Sequence, residues 1–471
     1  MHARKEIMST TAINDAQYKH KLAWRWHFYA GLYVIPFLLI LSMSGLVMLY
    51  DDVIEDTLHG DILTVEPLDS TVSLVTQLNI VQTAYPSATV KQYLTPETPQ
   101  RAGRFAIQTA AGKGLYITVN PYTAEILGEI DRDDNINTLA NDIHGTLLIG
   151  DTGDRLIEIA ASLLVILIVS GIYLWWPTDT ASKAGMLTIR FNKGKRILWR
   201  DLHANIGLLT AGILLLFVIS GLSWSGIWGA KFVQAWNSFP AEKWDNVPLS
   251  DETHAAMNHD VLEEVPWNLE QTRMPLSGSQ VGKAAIPMGN VNIDNVKAYA
   301  QQVGFTRFNI NLPRGETGVY TVSADTMSGD ITDAREDRTL HIDRYTGKVL
   351  ADFGWNEYNL IAKSMAAGIA LHQGDMGFWN RLLNTLFCFA FIFLAMSSIV
   401  MWWLRRSASA TFLSAPPKAV KQDINFRWVS AIVLTLILAC LFPMAAAAIT
   451  FIWVVDFVLV SRVPLLRKHL T

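Results

Sequence analysis

The sequence predicts a membrane protein, mainly α-helical, with duplicated pairs of transmembrane helices and two small α+β modules held outside the bilayer. Three observations point to that fold class. Of the 471 residues 51% are apolar and 17% are charged, and mean hydropathy is positive; this composition excludes an ordinary soluble globule. Four apolar runs are each about the 20 residues needed to cross hydrocarbon. Each run is led in by one histidine, and the four come as two similar pairs, a repetition that has to be explained first.

The first pair sets His27-Phe-Tyr-Ala-Gly31-Leu, with Ser44-Gly45 further along, against His203-Ala-Asn-Ile-Gly207-Leu, with Ser220-Gly221. His and Gly are four apart in both, and His to Ser-Gly is the same offset, since 44 minus 27 equals 220 minus 203. The second pair sets His144-Gly-Thr-Leu-Leu-Ile-Gly150-Asp-Thr-Gly-Asp-Arg155-Leu, ending in Trp175-Trp176, against His372-Gln-Gly374-Asp-Met-Gly-Phe-Trp-Asn-Arg381-Leu, ending in Trp402-Trp403.

Taken in order, residues 1–27 are a cytoplasmic N-terminus and 28–49 the first span. That span is not a cleavable signal, because it lies well inside the chain and exceeds the usual apolar length of one. Residues 50–154 hold the first module, 155–176 the second span, 177–202 a basic loop and 203–228 the third span. Residues 229–380 hold an insert and the second module, 381–403 the fourth span and 404–427 a loop. A last apolar run, 428–462, is too long for one crossing and is broken by Pro443. With Arg427 on one flank and Arg462, Arg467 and Lys468 on the other, it reads as a short hairpin or re-entrant helix pair.

Orientation follows from the basic residues, which collect on the cytoplasmic side. Arg4, Lys5, Lys19, Lys21 and Arg25 precede the first span; Lys183, Arg190, Lys193, Lys195, Arg196 and Arg200 lie between the second and third; Arg405, Arg406, Lys418 and Lys421 follow the fourth. The segments 50–154 and 229–380 are therefore expected to be exported, the first opening on Asp51-Asp52 and Glu55-Asp56. A net charge of -4 argues against nucleic acid as a partner. Cys388 and Cys440 sit inside apolar runs, where small buried hydrophobes are the ordinary reading.

In the first exported segment, residues 72–84 read as a helix ending before Tyr85-Pro86, and alternating runs at 88–94, 104–110 and 115–119 read as strands. The last leads into Asn120-Pro-Tyr-Thr-Ala-Glu-Ile-Leu-Gly128. In the second, a helix at 294–302 precedes strands near 305–311, 318–324 and 338–343, then Asp343-Arg-Tyr-Thr-Gly-Lys-Val-Leu350.

A helix, strands and a Tyr-Thr-Gly-Lys-like closing turn resemble the PepSY module. The order span, module, span, twice over, with His-x-x-x-Gly-Leu opening the odd spans, resembles the PepSY-associated transmembrane family of iron-regulated inner-membrane proteins. The likeness runs to about residue 406, and Asp456 with Arg462-Val-Pro464 also fits. The resemblance implies a reductase that acts on ferric siderophores and carries haem within the membrane.

The chemistry is consistent with that implication. No side chain here is a practical one-electron carrier across hydrocarbon, whereas haem held by two imidazoles is a standard solution. His27 with His203 at the cytoplasmic ends of their spans, and His144 with His372 before theirs on the exported side, give two expected b haems, one near each face. Gly31 and Gly207 would let a flat macrocycle approach the backbone, or would serve helix packing. Gly150-Asp151-x-Gly153 and Gly374-Asp375-x-Gly377 break the helix between histidine and span. Arg155 and Arg381 are candidate partners for haem propionates; Arg25 and Arg200 are so too, or are ordinary positive-inside residues. The tryptophan pairs read as interfacial anchors. His20, His59, His254, His259 and His341 have no counterpart in the other half; His254 and His259 are poorly spaced for a shared metal.

The expected function is an inner-membrane reductase passing electrons from the cytoplasmic side to periplasmic ferric iron held by a siderophore. The modules and the insert 229–290, with Trp236, Trp244 and Trp267, would form the docking surface. No G-x-G-x-x-G follows a strand, so a quinol or a separate cytoplasmic reductase is the implied donor. Two other classes stay open: a non-redox membrane-anchored binding or regulatory protein, and a siderophore permease. Intramembrane carboxylates would favour the permease, and apart from Asp456 almost none are expected.

Overall fold

The computed structural model describes residues 2–177, 185–234, 246–257, 265–266, 268–406, 433, 436–437 and 440–455. Its helices are α1 (His2–Met48), α2 (Asp51–Leu63), α3 (Leu74–Ala84), α4 (Ile136–Thr146), α5 (Asp151–Trp175), α6 (Lys195–Leu222), α7 (Ile293–Gln302), α8 (Leu360–Gln373), α9 (Phe378–Arg405) and α10 (Pro443–Val455). Its strands are β1 (Thr89–Leu94), β2 (Gly103–Gln108), β3 (Gly114–Val119), β4 (Ile126–Asp131), β5 (Leu249–Thr253), β6 (Arg273–Pro275), β7 (Lys283–Ala284), β8 (Asn309–Asn311), β9 (Val319–Ala324), β10 (Arg338–Asp343) and β11 (Lys348–Gly354). The chain forms two compact units, one of residues 1–44, 143–232 and 385–471, the other of residues 45–142 and 233–384.

The first unit is the membrane part. Lys19–Met48 within α1, with α5, α6 and α9, are long and apolar enough to cross a bilayer, as the four apolar runs predict. α1 continues unbroken through Pro36, which a membrane helix tolerates when neighbours satisfy the freed carbonyl. Within this unit α1 meets α5 where the Tyr33 hydroxyl donates to the Leu156 carbonyl at 3.2 Å, and α6 meets α9 through the stacked rings of Trp199 and Phe393. Much of the C-terminal run, including Arg427, Asp456 and Arg462, lies outside the described residues, so the expected hairpin there is not described. What is described of it is α10, which packs on α5, with Trp228 Nε1 donating to the Leu441 carbonyl at 2.9 Å.

The second unit carries a nine-stranded sheet in the order β4-β3-β2-β1-β8-β9-β10-β11-β7. Both expected helix-plus-strand segments are present, each with one further strand, β4 and β11, after its closing turn. The two expected modules are joined, a relation the sequence does not announce. β1 and β8 pair antiparallel, Tyr93 opposite Ile310, so the two stretches share one sheet. A strand edge is a row of unpaired donors and acceptors, and joining edge to edge removes two of them. Asp294 of α7 reinforces the junction, accepting from the backbone N–H of Leu74 at 2.6 Å and Val75 at 3.1 Å. A carboxylate is favoured at that helix N-terminus.

Alternation along the strands decides what each face holds. Leu340 and Ile342 of β10 and Val322 of β9 join the core beneath α3 and α7, so His341 and its cross-strand partner Thr321 point to the opposite face. There the insert residues Val247, Met257, Val265 and Leu269 pack with Phe353, Tyr358 and Ala362. His254 comes down from this insert onto His341, Nε2 to Nε2 at 2.9 Å. The tautomers follow from the outer partners. His254 Nδ1 faces the Thr272 carbonyl at 2.7 Å, which can only accept, so that nitrogen carries the proton. His254 Nε2 therefore accepts from His341 Nε2–H, and His341 Nδ1 accepts from the Thr321 hydroxyl at 2.9 Å. Sequence spacing missed this pair, whose members are 87 residues apart.

Both rings must be neutral for that chain to close. Burial pushes His254 down to about 4, and burial followed by the neighbouring His254 pushes His341 well below the ordinary value. A folded-state value below the unfolded one means the native state binds fewer protons. The pair's contribution is therefore complete above the ordinary value of 6.5 and is lost as pH falls toward 4. Asp337, pushed up to about 8, and Asp325, pushed up to about 6, both by burial, act with the opposite sign. Comparison with a double variant isolates the histidines: between about pH 7.5 and about pH 5, the wild type should lose more thermal stability than His254→Gln/His341→Gln.

Candidate functional site

His27 and His203 come together inside the first unit. Each lies about two helical turns inside its helix, Lys19–Met48 for His27 and α6 for His203, where the charged first turns give way to the apolar run. Their ring centroids are 6.4 Å apart and the planes are perpendicular. The directly hydrogen-bonded pair His254–His341 has centroids only 5.0 Å apart, whereas the membrane pair meets edge to face without a ring-to-ring hydrogen bond. With a metal–nitrogen distance of about 2 Å on each side, two imidazoles on opposite faces of one metal would have centroids roughly 6 Å apart. The measured separation fits that arrangement. Among the described residues no group of three or more His, Cys, Asp or Glu could hold a metal ion, so two imidazoles here suit a group that brings its own equatorial ligands, as haem does.

The rings are held from behind. His27 Nδ1 lies 3.0 Å from Ser170 Oγ on α5, and His203 Nδ1 lies 2.8 Å from Ser397 Oγ on α9. Each hydroxyl already gives its one proton to its own helix, Ser170 to the Ile166 carbonyl at 2.6 Å and Ser397 to the Leu394 carbonyl at 3.0 Å. With those protons on the helix carbonyls the serine oxygens are left to accept, an arrangement that favours the ring proton on Nδ1 and a bare Nε2. No hydrogen bond among the described residues engages that nitrogen on either ring. Bare Nε2 with Nδ1–H hydrogen-bonded is the form in which imidazole ligates a metal.

His144 has the same support. It lies near the end of α4, and its Nδ1 is 3.0 Å from Ser44 Oγ on α1, whose proton goes to the Ile40 carbonyl at 2.9 Å. Burial pushes its titration down to about 4, which keeps it neutral. The predicted helix break follows it: Leu147, Leu148 and Gly150 have positive φ before α5 begins, and a Cβ at Gly153 would lie 1.6 Å from the Thr146 carbonyl oxygen. His372 belongs to the other unit and ends α8 in the same manner. Gly374, at φ 94, closes that helix, and the buried Asn384 amide donates to the carbonyls of Leu371 at 2.7 Å and His372 at 3.0 Å.

The remaining candidates have other neighbours. A Cβ at Gly31 would meet Leu167 at 3.7 Å and one at Gly207 would meet Leu394 at 3.6 Å, ordinary contacts that favour helix packing. The close glycine is Gly171, where a Cβ would meet His27 Cε1 at 3.2 Å. Ser170-Gly171 is one of six Ser-Gly doublets in the chain, too common a pair to have singled out either residue. Arg155 is paired with Asp154 at 2.5 Å and lies 3.7 Å from Glu158. Arg381 Nη1 donates to both carboxylate oxygens of Asp52, at 2.8 and 3.0 Å. A propionate at either arginine would compete with these carboxylates. Arg25 lies over the Tyr29 ring, and Arg200 pairs with Asp201 at 3.0 Å. Asp201 also takes Arg190 through two bonds at 2.7 and 2.8 Å, and Asn205, one turn on, accepts from Leu187 N–H at 3.0 Å and donates to the Thr188 carbonyl at 2.9 Å. These ties fix the loop beside His203. Trp236, Trp244, Trp267 and His259 lie outside the described residues.

One expectation is overturned. Almost no intramembrane carboxylate was expected, yet α5 carries Glu158 with its side chain 1% exposed. It is a structural anchor: Glu158 accepts from the backbone N–H of Ile227 at 3.2 Å and Trp228 at 3.1 Å, and Asp154 accepts from Gly226 N–H at 3.1 Å. The carboxylates satisfy the donors of the turn that follows α6, as hydrocarbon requires.

A family model described as PepSY-associated TM region matches residues 24–405. No curated protein matches the chain.

Removing one partner of a buried, hydrogen-bonded charge strands the others, at a cost of about 3 kcal/mol. Glu158→Ala should therefore lower the thermal midpoint of the detergent-solubilised protein sharply, and more than Ser398→Ala, whose hydroxyl bonds only its own helix at the Leu394 carbonyl.

Proposed function

The chain belongs to the PepSY-associated TM family, and we propose that within it the protein is an inner-membrane haem protein that passes electrons to periplasmic ferric iron, as a ferric-siderophore reductase in iron uptake. The observation that carries this reading is the His27–His203 pair: two rings from different spans, facing each other without a mutual hydrogen bond, each with Nδ1 against a serine and Nε2 bare. Haem, when bound, supplies one-electron chemistry that no side chain offers. His27 and His203 hold it, Ser170 and Ser397 orient them, and the apolar flanks of α1, α5, α6 and α9 keep water away. For His144 and His372 a second b haem is proposed from the correspondence of the two halves in sequence, together with the serine behind His144.

The periplasmic placement of the second unit is part of the same proposal and rests on the basic residues of the loops. One electron converts Fe(III) to Fe(II), and the hard oxygen ligands of a siderophore hold Fe(II) less well, so reduction loosens the metal for uptake. A quinol or a separate cytoplasmic reductase supplies the electron. The permease reading is weakened because Glu158 and Asp154 are spent on backbone donors rather than facing a path. The non-redox anchor leaves the paired, serine-backed histidines without a purpose.

An absorption spectrum of the purified protein decides between these classes. Low-spin bis-imidazole haem gives a Soret band with sharp visible bands on reduction, and a colourless preparation from haem-replete cells would overturn the reductase reading.

Ligand pairing is tested separately. His27→Ala and His203→Ala should each remove about half of the bound haem, one of two sites, and the double variant should remove no more than either alone. Additive losses would show that the two histidines serve different irons.

A further inference from the structure

We infer that Ser170 and Ser397 are positioning residues that fix the tautomer, and with it the donor strength, of the two haem-ligating imidazoles, with Ser44 doing the same for His144. The inference rests on the haem reading for its electronic consequence, but not for its geometry. A neutral imidazole has one N–H, and inside hydrocarbon that hydrogen must find an acceptor. A hydroxyl can be donor or acceptor, so a serine beside a histidine ordinarily leaves the tautomer undecided. Here the choice is removed. Ser170 gives its proton to the Ile166 carbonyl at 2.6 Å, Ser397 to Leu394 at 3.0 Å and Ser44 to Ile40 at 2.9 Å. Only the oxygen lone pairs remain for the rings, at 3.0, 2.8 and 3.0 Å from Nδ1 of His27, His203 and His144.

Alanine at 170 or 397 would keep the helix, whose backbone bonds do not involve the hydroxyl, and would remove only the side-chain acceptor.

The consequence is electronic. A hydrogen bond from Nδ1–H puts electron density on Nε2 and strengthens it as a donor, and a stronger donor favours ferric over ferrous iron. Losing the serine acceptor should therefore raise the reduction potential of the haem between His27 and His203. It should also weaken haem binding, by roughly 10-fold, the lower end of what the loss of a ligand's hydrogen-bond partner costs.

Two measurements on the full-length protein in membranes test this. In haem-depleted protein with labelled histidine, nitrogen NMR reads the tautomers directly. His27 and His203 should be Nδ1–H in the wild type, and the Nε2–H form should grow in Ser170→Ala and Ser397→Ala at the ring concerned. In haem-loaded protein, redox titration should give a higher potential for each alanine variant. Ser170→Thr, which restores the hydroxyl, should return the wild-type value, and Ser398→Ala should leave it unchanged. Wild-type rings already in the Nε2–H form, or alanine variants with unaltered tautomer and potential, would overturn the inference. Protein that never binds haem would refute the reductase reading instead, and the NMR result would still decide the role of the serines.

Discussion

Everything in the membrane unit is constrained by the lack of solvent to satisfy a polar group. Backbone N–H and C=O groups are consumed within the helices, so an imidazole placed between spans has few partners to choose from. The solution adopted three times is a serine whose own proton goes back to its helix, leaving an oxygen that can only accept. That geometry fixes which nitrogen faces the neighbouring histidine. It also ties α1 to α5, α6 to α9 and α4 to α1 through polar contacts where lipid provides no hydrophobic drive to associate. The same rule explains Glu158 and Asp154, which answer the exposed donors of the turn after α6.

The sheet-bearing unit solves its problems differently because water and strand pairing are available to it. Its two halves pair through β1 and β8, and Asp294 caps a helix of the other half. On the face away from α3 and α7, the His254–His341 contact pins the insert to β10. The two histidine pairs make an internal comparison. One is buried and hydrogen-bonded ring to ring, with centroids 5.0 Å apart, and the other meets edge to face at 6.4 Å with each ring bonded to a serine instead.

Much of this was legible in the sequence. Hydropathy located the four spans, and the doubled His-x-x-x-Gly-Leu motif selected His27 and His203 from the eleven histidines. Periodicity found α3, α7 and most strands within a few residues. What escaped were relations between distant segments. The joining of β1 to β8 depends on edges that no single strand announces. His254 and His341 lack a repeated context, so nothing in the sequence paired them. Ser170 and Ser397 were passed over because serine in a membrane helix is a common packing residue. Glu158 was missed because a lone acid in an apolar run reads as the margin of a span, and its partners are backbone groups that carry no sequence signature.

Arg155 and Arg381 show where reading by correspondence stops. They occupy matching positions after matching histidines, and the sequence assigns them one role. In the structure each has its own carboxylate, Asp154 and Asp52. Arg155 is balanced by its sequence neighbour, which also accepts from Gly226, whereas Arg381 reaches an aspartate 329 residues away. A shared motif thus fixes the position of a charge but not its partner. A carboxylate supplied by the chain is permanent, while one carried by a cofactor arrives only with it, so arginines balanced in this way keep the helix ends folded before any cofactor binds. Among the described residues His27 and His203 have no such second claim on Nε2, and for that reason they, rather than the arginines, define the site.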